Sequence, residues 1–304
     1  MPVEATAMTA MYTGRFAPTP SGPLHFGSVI AALAGFLDAR SCNGRWLLRI
    51  DDLDPPRIRP GAVDNILHTL ESLGLHWDGA VLYQSRRGEA YREGLRMLEE
   101  KQKLYRCYCP RRVTRGKPYP GTCRQRKDSP ATRRYALRVI TGEHKVGFDD
   151  GIQGPFSLSL REESGDFIIR RADGLIAYHL ANVVDDAWQG ITHVVRGADL
   201  LAATPSQIYL QGLLGTPSPL YHHIPVALGL DGGKISKSRD AGHALQHAGP
   251  VQLIHHALRF LGQEPEQALQ EARLEEVLDW AVRHWRLEAI PRLRGQDYRQ
   301  AFNP

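Results

Sequence analysis

Residues 17–28 read APTPSGPLHFGS and run directly into VIAALAGFL, residues 29–37. Pro18, Pro20 and Pro23 fix φ and remove N–H donors, so neither a helix nor a central strand can pass through this stretch. The run behind it is apolar on nearly every side, which predicts a buried helix over residues 28–40. In front of it, MYTGRFAP is strand-like and ends at Pro18. The unit is therefore strand, constrained loop, helix. In a parallel α/β sheet, ligands sit beyond the carboxyl ends of the strands, where such loops lie. A helix N-terminus adds unpaired N–H groups and a positive dipole end, both suited to phosphate. Gly27 would let a base or ribose approach the backbone, and His25 can donate to a phosphoryl oxygen. Taken alone, H-x-G favours an incidental histidine in a turn.

Outward from this unit the same alternation continues. RWLLRI, residues 45–50, has strand length and stops at the acidic DDLD. Val63, Ile66, Leu67, Leu70 and Leu73 recur at helical spacing, VLYQS is short and ambiguous, and a second amphipathic helix follows over about residues 89–101. Order β-α-β-α argues for a parallel sheet with crossover helices. Between residues 104 and 165 the periodicity breaks down, which marks an insertion. It resumes through GLIAYHL, ANVVDDAWQG, ITHVVRGADL, a helix over PSQIYLQGLLG and the strand-like HHIPVAL. The 66 residues after Ser238 read as helical. The expected organisation is a catalytic α/β domain in two halves, residues 1–103 and 166–238, an insertion over 104–165 and a helical C-terminal part over 239–304.

Composition excludes some classes. The longest strongly apolar stretch is nine residues, Val29 to Leu37, too short to span a bilayer. The N-terminus has no basic start followed by an apolar run, so a secretory signal is not expected and a cytoplasmic protein is. Net charge is +5 and the sequence pI about 9.1. The charge is concentrated: Arg106 to Arg134 holds ten Lys or Arg against one acid, Asp128. Such a segment attracts polyphosphate or nucleic acid, or serves as a solvated charged loop.

Late in the chain, KISKS (Lys234 to Ser238) follows a strand-like stretch and the turn-forming DGG. Two lysines and two serines on a glycine-hinged loop can grip a triphosphate as charge builds on the leaving pyrophosphate. The combination of PLHFGS early and KISKS late resembles the signature pair of the class I aminoacyl-tRNA synthetases. GRFAPTPSGPLHFGS, LLRIDDLDPPR, GLIAYHLANVVDD and VVRGADLL resemble more narrowly the glutamyl/glutaminyl branch. The likeness covers most of residues 12–238. It implies a Rossmann-like, doubly wound parallel-sheet catalytic domain. It also implies ATP, with Mg²⁺, held by His25, Gly27, Ser28, Lys234, Ser236, Lys237 and Ser238. Of these, His25, Lys234 and Lys237 would stabilise phosphate charge.

Glutamate brings two carboxylates and an ammonium, so its pocket needs guanidinium forks and an anion. Arg15 and Arg196 suit the carboxylates, and the matching family arginines do this; the alternative is a surface ion pair. The resemblance places Phe16, Ala17, Pro18 and Thr19 along the same substrate. Asp51 matches the residue that holds the amino group, where the family usually carries the longer Glu, so a bridging water or a backbone shift is expected. Tyr178 matches a pocket tyrosine, and on sequence alone could equally be a core residue with a satisfied hydroxyl.

Cys107, Cys109 and Cys123 fall within seventeen residues, CYCPRRVTRGKPYPGTC. In a cytoplasmic chain such clustering favours a metal over a disulfide. Three thiolates leave one position of a structural zinc site open, for which Tyr119, His144 or Asp128 are candidates. A subgroup of short glutamyl synthetase-like enzymes carries C-x-C, a tyrosine and a later cysteine here, which implies Cys107, Cys109, Tyr119 and Cys123. Cys42 reads as structural. The pairs His222–His223 and His255–His256 have no evident partner and read as solvated side chains.

The tract after KISKS is shorter than the on-the-order-of-100-residue domain that reading a distant anticodon would need. This resembles the branch members that attach glutamate to queuosine in the anticodon of tRNA(Asp), whose acceptor base must itself enter the cleft. The expected partners are L-glutamate, ATP and queuosine-bearing tRNA(Asp), gripped in part by the basic insertion, with no membrane and a monomeric enzyme. The alternatives are a truncated synthetase charging the 3′ end of tRNA(Glu), a small-molecule nucleotidyltransferase and a non-catalytic paralogue.

Overall fold

The computed structural model describes residues 11–110, 118–126, 134–229, 232–235 and 248–302. Strand β1 (Thr13–Phe16) is followed by helix α1 (Phe26–Ser41), β2 (Arg45–Ile50), α2 (Ala62–Ser72), β3 (Leu82–Tyr83) and α3 (Gly88–Glu100). β4 (Leu104–Cys107), β5 (Ala136–Val139), β6 (Lys145–Asp150), β7 (Gly154–Ser159), α4 (Leu160–Glu163) and β8 (Ile168–Arg170) come next. The second half holds α5 (Tyr178–Trp188), β9 (His193–Gly197), α6 (Thr204–Leu214), β10 (Leu220–Ile224) and β11 (Val226–Leu228). Helices α7 (Pro250–Phe260) and α8 (Leu274–Arg283) and strand β12 (Gly295–Asp297) close the described chain.

β1, β2 and β3 pair in parallel, with Arg15 opposite Leu47. β9 and β10 form a second parallel pair, and Thr192 N donates to Thr13 O at 2.9 Å, which stitches β9 alongside β1. The parallel α/β reading of the sequence therefore stands. Alternation in the middle segment was too weak to read. β4, β5 and β8 make a separate antiparallel sheet, but the β6–β7 hairpin joins the main sheet, where Tyr221 of β10 pairs with Asp150 of β6. β12 lies in the tract read as helical and pairs in parallel with β11, Val226 opposite Gly295. Its sequence, GQD, carries no apolar period, so only the neighbouring strand makes it one.

The all-round apolar character of α1 has a direct cause. Val29, Ile30, Leu33 and Leu37 are fully buried between Trp46, Leu48 and Ile50 of β2 and Ile254, Leu258 and Phe260 of α7, with Val277 and Ala281 of α8 in the same core. Each such side chain contributes about 1.5–3 kcal/mol by leaving water. The helix stops where Asn43 turns left-handed at φ 52° and Gly44 N closes onto Ala39 O at 2.8 Å. A Cβ on Gly44 would fall 2.7 Å from Tyr12 O, so this turn requires glycine. The C-terminal helices thus hold the helix whose other end carries His25. Among the described residues no helix is long and apolar enough to cross a membrane.

Candidate active site

His25 is the N-cap of α1, and its Nδ1 accepts the Ser28 N–H at 3.2 Å. That bond consumes the Nδ1 lone pair and puts the ring proton on Nε2. Burial, reinforced by the Lys234 charge, pushes the imidazole down to about 4. At neutral pH the ring is uncharged and presents Nε2–H, beside Ser28 Oγ at 3.2 Å, as a donor. Lys234 borders the same cleft, its Nζ held by Asp199 Oδ2 at 2.7 Å. The cleft has a volume of about 540 Å³ and is lined by Phe16, Pro18, Thr19, His25, Gly27, Ser28, Gly197, Asp199, Lys234 and Ile235 among others. A Cβ on Gly27 would sit 3.2 Å from the His25 ring and 3.5 Å from Ile235, so a side chain there would press on the imidazole. The early and late signature loops therefore meet in one cleft. Ser236, Lys237 and Ser238 lie outside the described residues.

A second cavity of about 220 Å³ shares Thr19 and Arg57 with the first and is lined by Asp51, Gln84, Arg171 and Tyr178. Ala17, Arg15 and Arg196 line neither. Tyr178 is 43% exposed, which removes the core reading. The Asp51 N–H donates to Pro18 O at 3.0 Å, which ties the acidic run to the first loop. Burial pushes the Asp51 carboxyl up to about 6, against the pull of Arg49 and Arg15. It stays mostly ionised at pH 7, and a docked ammonium would complete its pairing.

Arg15 and Arg196 are only 5% and 6% exposed, so neither is a surface ion pair. Arg15 Nε donates to Asp186 Oδ1 at 3.2 Å, and Arg49 Nη1 donates to the same oxygen at 2.8 Å. Arg196 Nε donates to His223 Nε2 at 3.0 Å and its Nη2 to Thr204 Oγ1 at 2.8 Å. The Arg15 charge reaches Asp51 and Arg196, and the Arg196 charge reaches Tyr178. Of the eight residues named from the sequence for glutamate, Arg15, Asp51, Tyr178 and Arg196 thus interact electrostatically.

Several residues of this cluster escaped the sequence reading. Arg49, fully buried, donates to Asp51 Oδ1 at 3.3 Å and Asn182 Oδ1 at 3.3 Å as well as to Asp186. A readable signal existed: a charged side chain within the apolar run WLLRI demands buried partners. The solvated reading of the histidine pairs is wrong for three of the four. His223 is fully buried between Asp150 and Arg196, His222 is buried against Asp38 at 3.1 Å, and His255 is 2% exposed. Their partners are distant in sequence, so adjacency could not show them. His256 is half-buried and contacts Ala301 O at 3.0 Å. Cys42 is exposed at the end of α1, which corrects its structural assignment.

The sulfurs of Cys107, Cys109 and Cys123 lie within 4.8 Å of one another. Tyr119 Oη is 3.4 Å from the sulfurs of Cys107 and Cys109, and Cys109 and Cys123 sulfurs are 3.6 Å apart. A tetrahedron with zinc–sulfur arms of about 2.3 Å has edges of roughly 3.8 Å. Three sulfurs and the phenol therefore fit such a site. Burial would raise the Cys123 thiol, yet hydrogen bonds from Tyr119, the Tyr108 backbone and the other thiols bring it down to about 7. His144 instead faces the Tyr209 ring at 5.1 Å, and Asp128 lies outside the described residues.

This geometry is that of a class I synthetase catalytic domain, and the comparisons agree. The family "tRNA synthetases class I (E and Q), catalytic domain" matches residues 11–279, and the chain belongs to it. Within it, the chain is 51% identical over 285 residues, 93% of this chain and 95% of the relative, to the glutamyl-Q tRNA(Asp) synthetase of Pseudomonas syringae pv. syringae strain B728a. Similar matches are the proteins of the same name from Dechloromonas aromatica strain RCB, 49% over 298 residues (94% and 97%), and Pseudomonas aeruginosa PAO1, 50% over 289 residues (94% and 97%). Among solved structures, a glutamate tRNA ligase from Elizabethkingia meningosepticum superposes with a TM-score of 0.78 at 23% identity, over 94% of this chain and 67% of that one.

Proposed function

We propose that this protein activates L-glutamate with ATP and transfers it to queuosine in the anticodon of tRNA(Asp). The observation that carries the reading is the match to glutamyl-Q tRNA(Asp) synthetases at about half identity along nearly the full length of both chains. The cleft supplies the matching chemistry. A carboxylate oxygen of glutamate attacks the α-phosphorus of ATP, the bond to the β-phosphate breaks, and pyrophosphate leaves with the electron pair. Neutral His25 donates Nε2–H to a phosphate oxygen, and Lys234, with Lys237, neutralises the leaving charge. Magnesium carried by ATP would share that neutralisation. Arg15 and Arg196 orient the substrate carboxylates and Asp51 holds the ammonium, which fixes the attack geometry. Transfer then proceeds by attack of a cyclopentene hydroxyl of queuosine on the anhydride carbonyl, with loss of the hydroxyl proton and release of AMP.

Cys107, Cys109, Tyr119 and Cys123 would hold a structural zinc, and the basic residues of the same stretch of sequence would supply phosphate contacts. The enzyme would work in the cytoplasm, where its tRNA is. The test incubates labelled glutamate, ATP and protein with tRNA from queuosine-containing cells and from cells lacking it. Label confined to the queuosine pool, and recovered on the anticodon fragment and not on the 3′-terminal fragment after nuclease digestion, supports the reading. Equal labelling of both pools would indicate charging of a 3′ end instead.

A further inference from the structure

Arg196 is clamped along one edge. Its Nε meets His223 Nε2 at 3.0 Å, and its Nη2 meets Thr204 Oγ1 at 2.8 Å. Thr204 Oγ1 donates its own proton to Leu200 O at 3.0 Å, which leaves it an acceptor for the guanidinium. Behind His223 stands Asp150, whose Oδ2 is 2.5 Å from Nδ1. Both His223 and Asp150 side chains are fully buried.

We infer that Asp150 and His223 are positioning residues for amino-acid recognition, acting as a relay that fixes the direction of the Arg196 guanidinium. The inference rests on the proposed role of Arg196 as a carboxylate fork. The argument is one of tautomers. A guanidinium can only donate, so His223 must offer it a lone pair at Nε2. That requires the ring proton at Nδ1, where the Asp150 carboxylate accepts it. Burial pushes the His223 imidazole down to about 4, so the ring is neutral. Burial works against ionisation of Asp150, but the His223 ring and the Gln153 N–H hold its carboxyl below the usual range. With the side-on edge thus occupied, the fork formed by the terminal nitrogens is aimed by protein that never touches substrate.

The Asp150 carboxylate is itself fixed. Its Oδ1 accepts the backbone N–H groups of Ile152 at 3.1 Å, Gln153 at 2.8 Å and His223 at 3.1 Å. In Asp150→Asn those three donors hold the amide oxygen on their side. The amide nitrogen must then face His223 Nδ1 and donate into it. The ring proton moves to Nε2, where it opposes the Arg196 Nε–H, and the guanidinium swings away. His223→Leu removes the acceptor outright. His223→Gln restores an oxygen toward Arg196 and an N–H toward Asp150.

The test is glutamate-dependent ATP–pyrophosphate exchange by the full-length protein and these three variants. Asp150→Asn and His223→Leu are expected to raise KM for glutamate by about tenfold or more, the usual consequence of misplacing a buried hydrogen bond to a charged group. KM for ATP should stay within about twofold, and His223→Gln should stay within about threefold of wild type for glutamate. An unchanged glutamate KM in Asp150→Asn or His223→Leu overturns the relay. So does a parallel rise in both KM values, which a merely structural role would give. Wild-type protein that exchanges no pyrophosphate with glutamate would refute the functional reading itself, and the relay with it.

Discussion

Asp51→Asn should make the protein more stable and disable it. The carboxyl is held in a cleft that pushes its pKa from 3.8 up to about 6. A raised folded-state value means that ionised Asp51 opposes folding, fully above pH 6 and progressively less as pH falls toward 3.8. The shift of about two units corresponds to about 3 kcal/mol as an upper value, and the 17% of the side chain still exposed trims it through solvent screening. Asparagine keeps the oxygen that accepts Arg49 Nε and removes the charge. At about 2.1 cal/mol/K of unfolding entropy per residue, the 304-residue chain should gain up to about 5 °C in Tm at pH 7.5. At pH 5 the wild-type carboxyl is largely protonated when folded, so the gain should shrink to about half. Parallel thermal melts of the isosteric pair at the two pH values measure this directly, since other titrating groups cancel. Glutamate binding should meanwhile be lost, because the ammonium loses its counter-ion. A variant less stable than wild type at pH 7.5, or a gap that widens on acidification, would refute the reasoning.

Wild-type KM for glutamate should rise about tenfold between pH 7 and pH 5, as Asp51 takes up a proton; a flat profile would remove Asp51 from ammonium recognition. His25→Ala should cut pyrophosphate exchange by about 10²–10³ with little change in glutamate affinity, and wild-type exchange should show no His25 titration between pH 6 and 8, since this ring gains its proton only near 4. Cys123→Ser should lower zinc from one per chain to near none by elemental analysis. It should also reduce transfer to tRNA by about tenfold or more while exchange persists, whereas equal losses in both steps would tie the site to catalysis. Leu33→Ala, in the middle of α1, should destabilise by about 2–5 kcal/mol in denaturant melts.

The fold was legible where periodicity is strong. RWLLRI is β2 residue for residue, and the helices around Leu33, Leu70 and Leu98 lie within two residues of where their apolar spacing put them. It was illegible where tertiary pairing decides, as at β12 and in the β6–β7 hairpin. The site divides in the same way. His25, Asp51, Tyr178, Arg15 and Arg196 could be named because they sit in quotable motifs. Asp150 and His223 could not, because each is defined by a partner on another strand, and Arg49 and Asp186, although inside quoted motifs, show their role only through the ion pair between them. A buried Arg inside an apolar strand is the one such signal that a sequence does carry.

The central claim is that the two signature loops and the arginine–aspartate cluster make one pocket for glutamyl-adenylate. A crystal structure with a non-hydrolysable glutamyl-adenylate analogue tests it most directly. The account predicts the phosphate mimic within hydrogen-bond reach of His25 Nε2, with Lys234 alongside. It also predicts the ammonium on Asp51 and the glutamyl carboxylate on the guanidinium groups of Arg15 and Arg196. An analogue whose amino-acid half lies away from Asp51 and both arginines would contradict it.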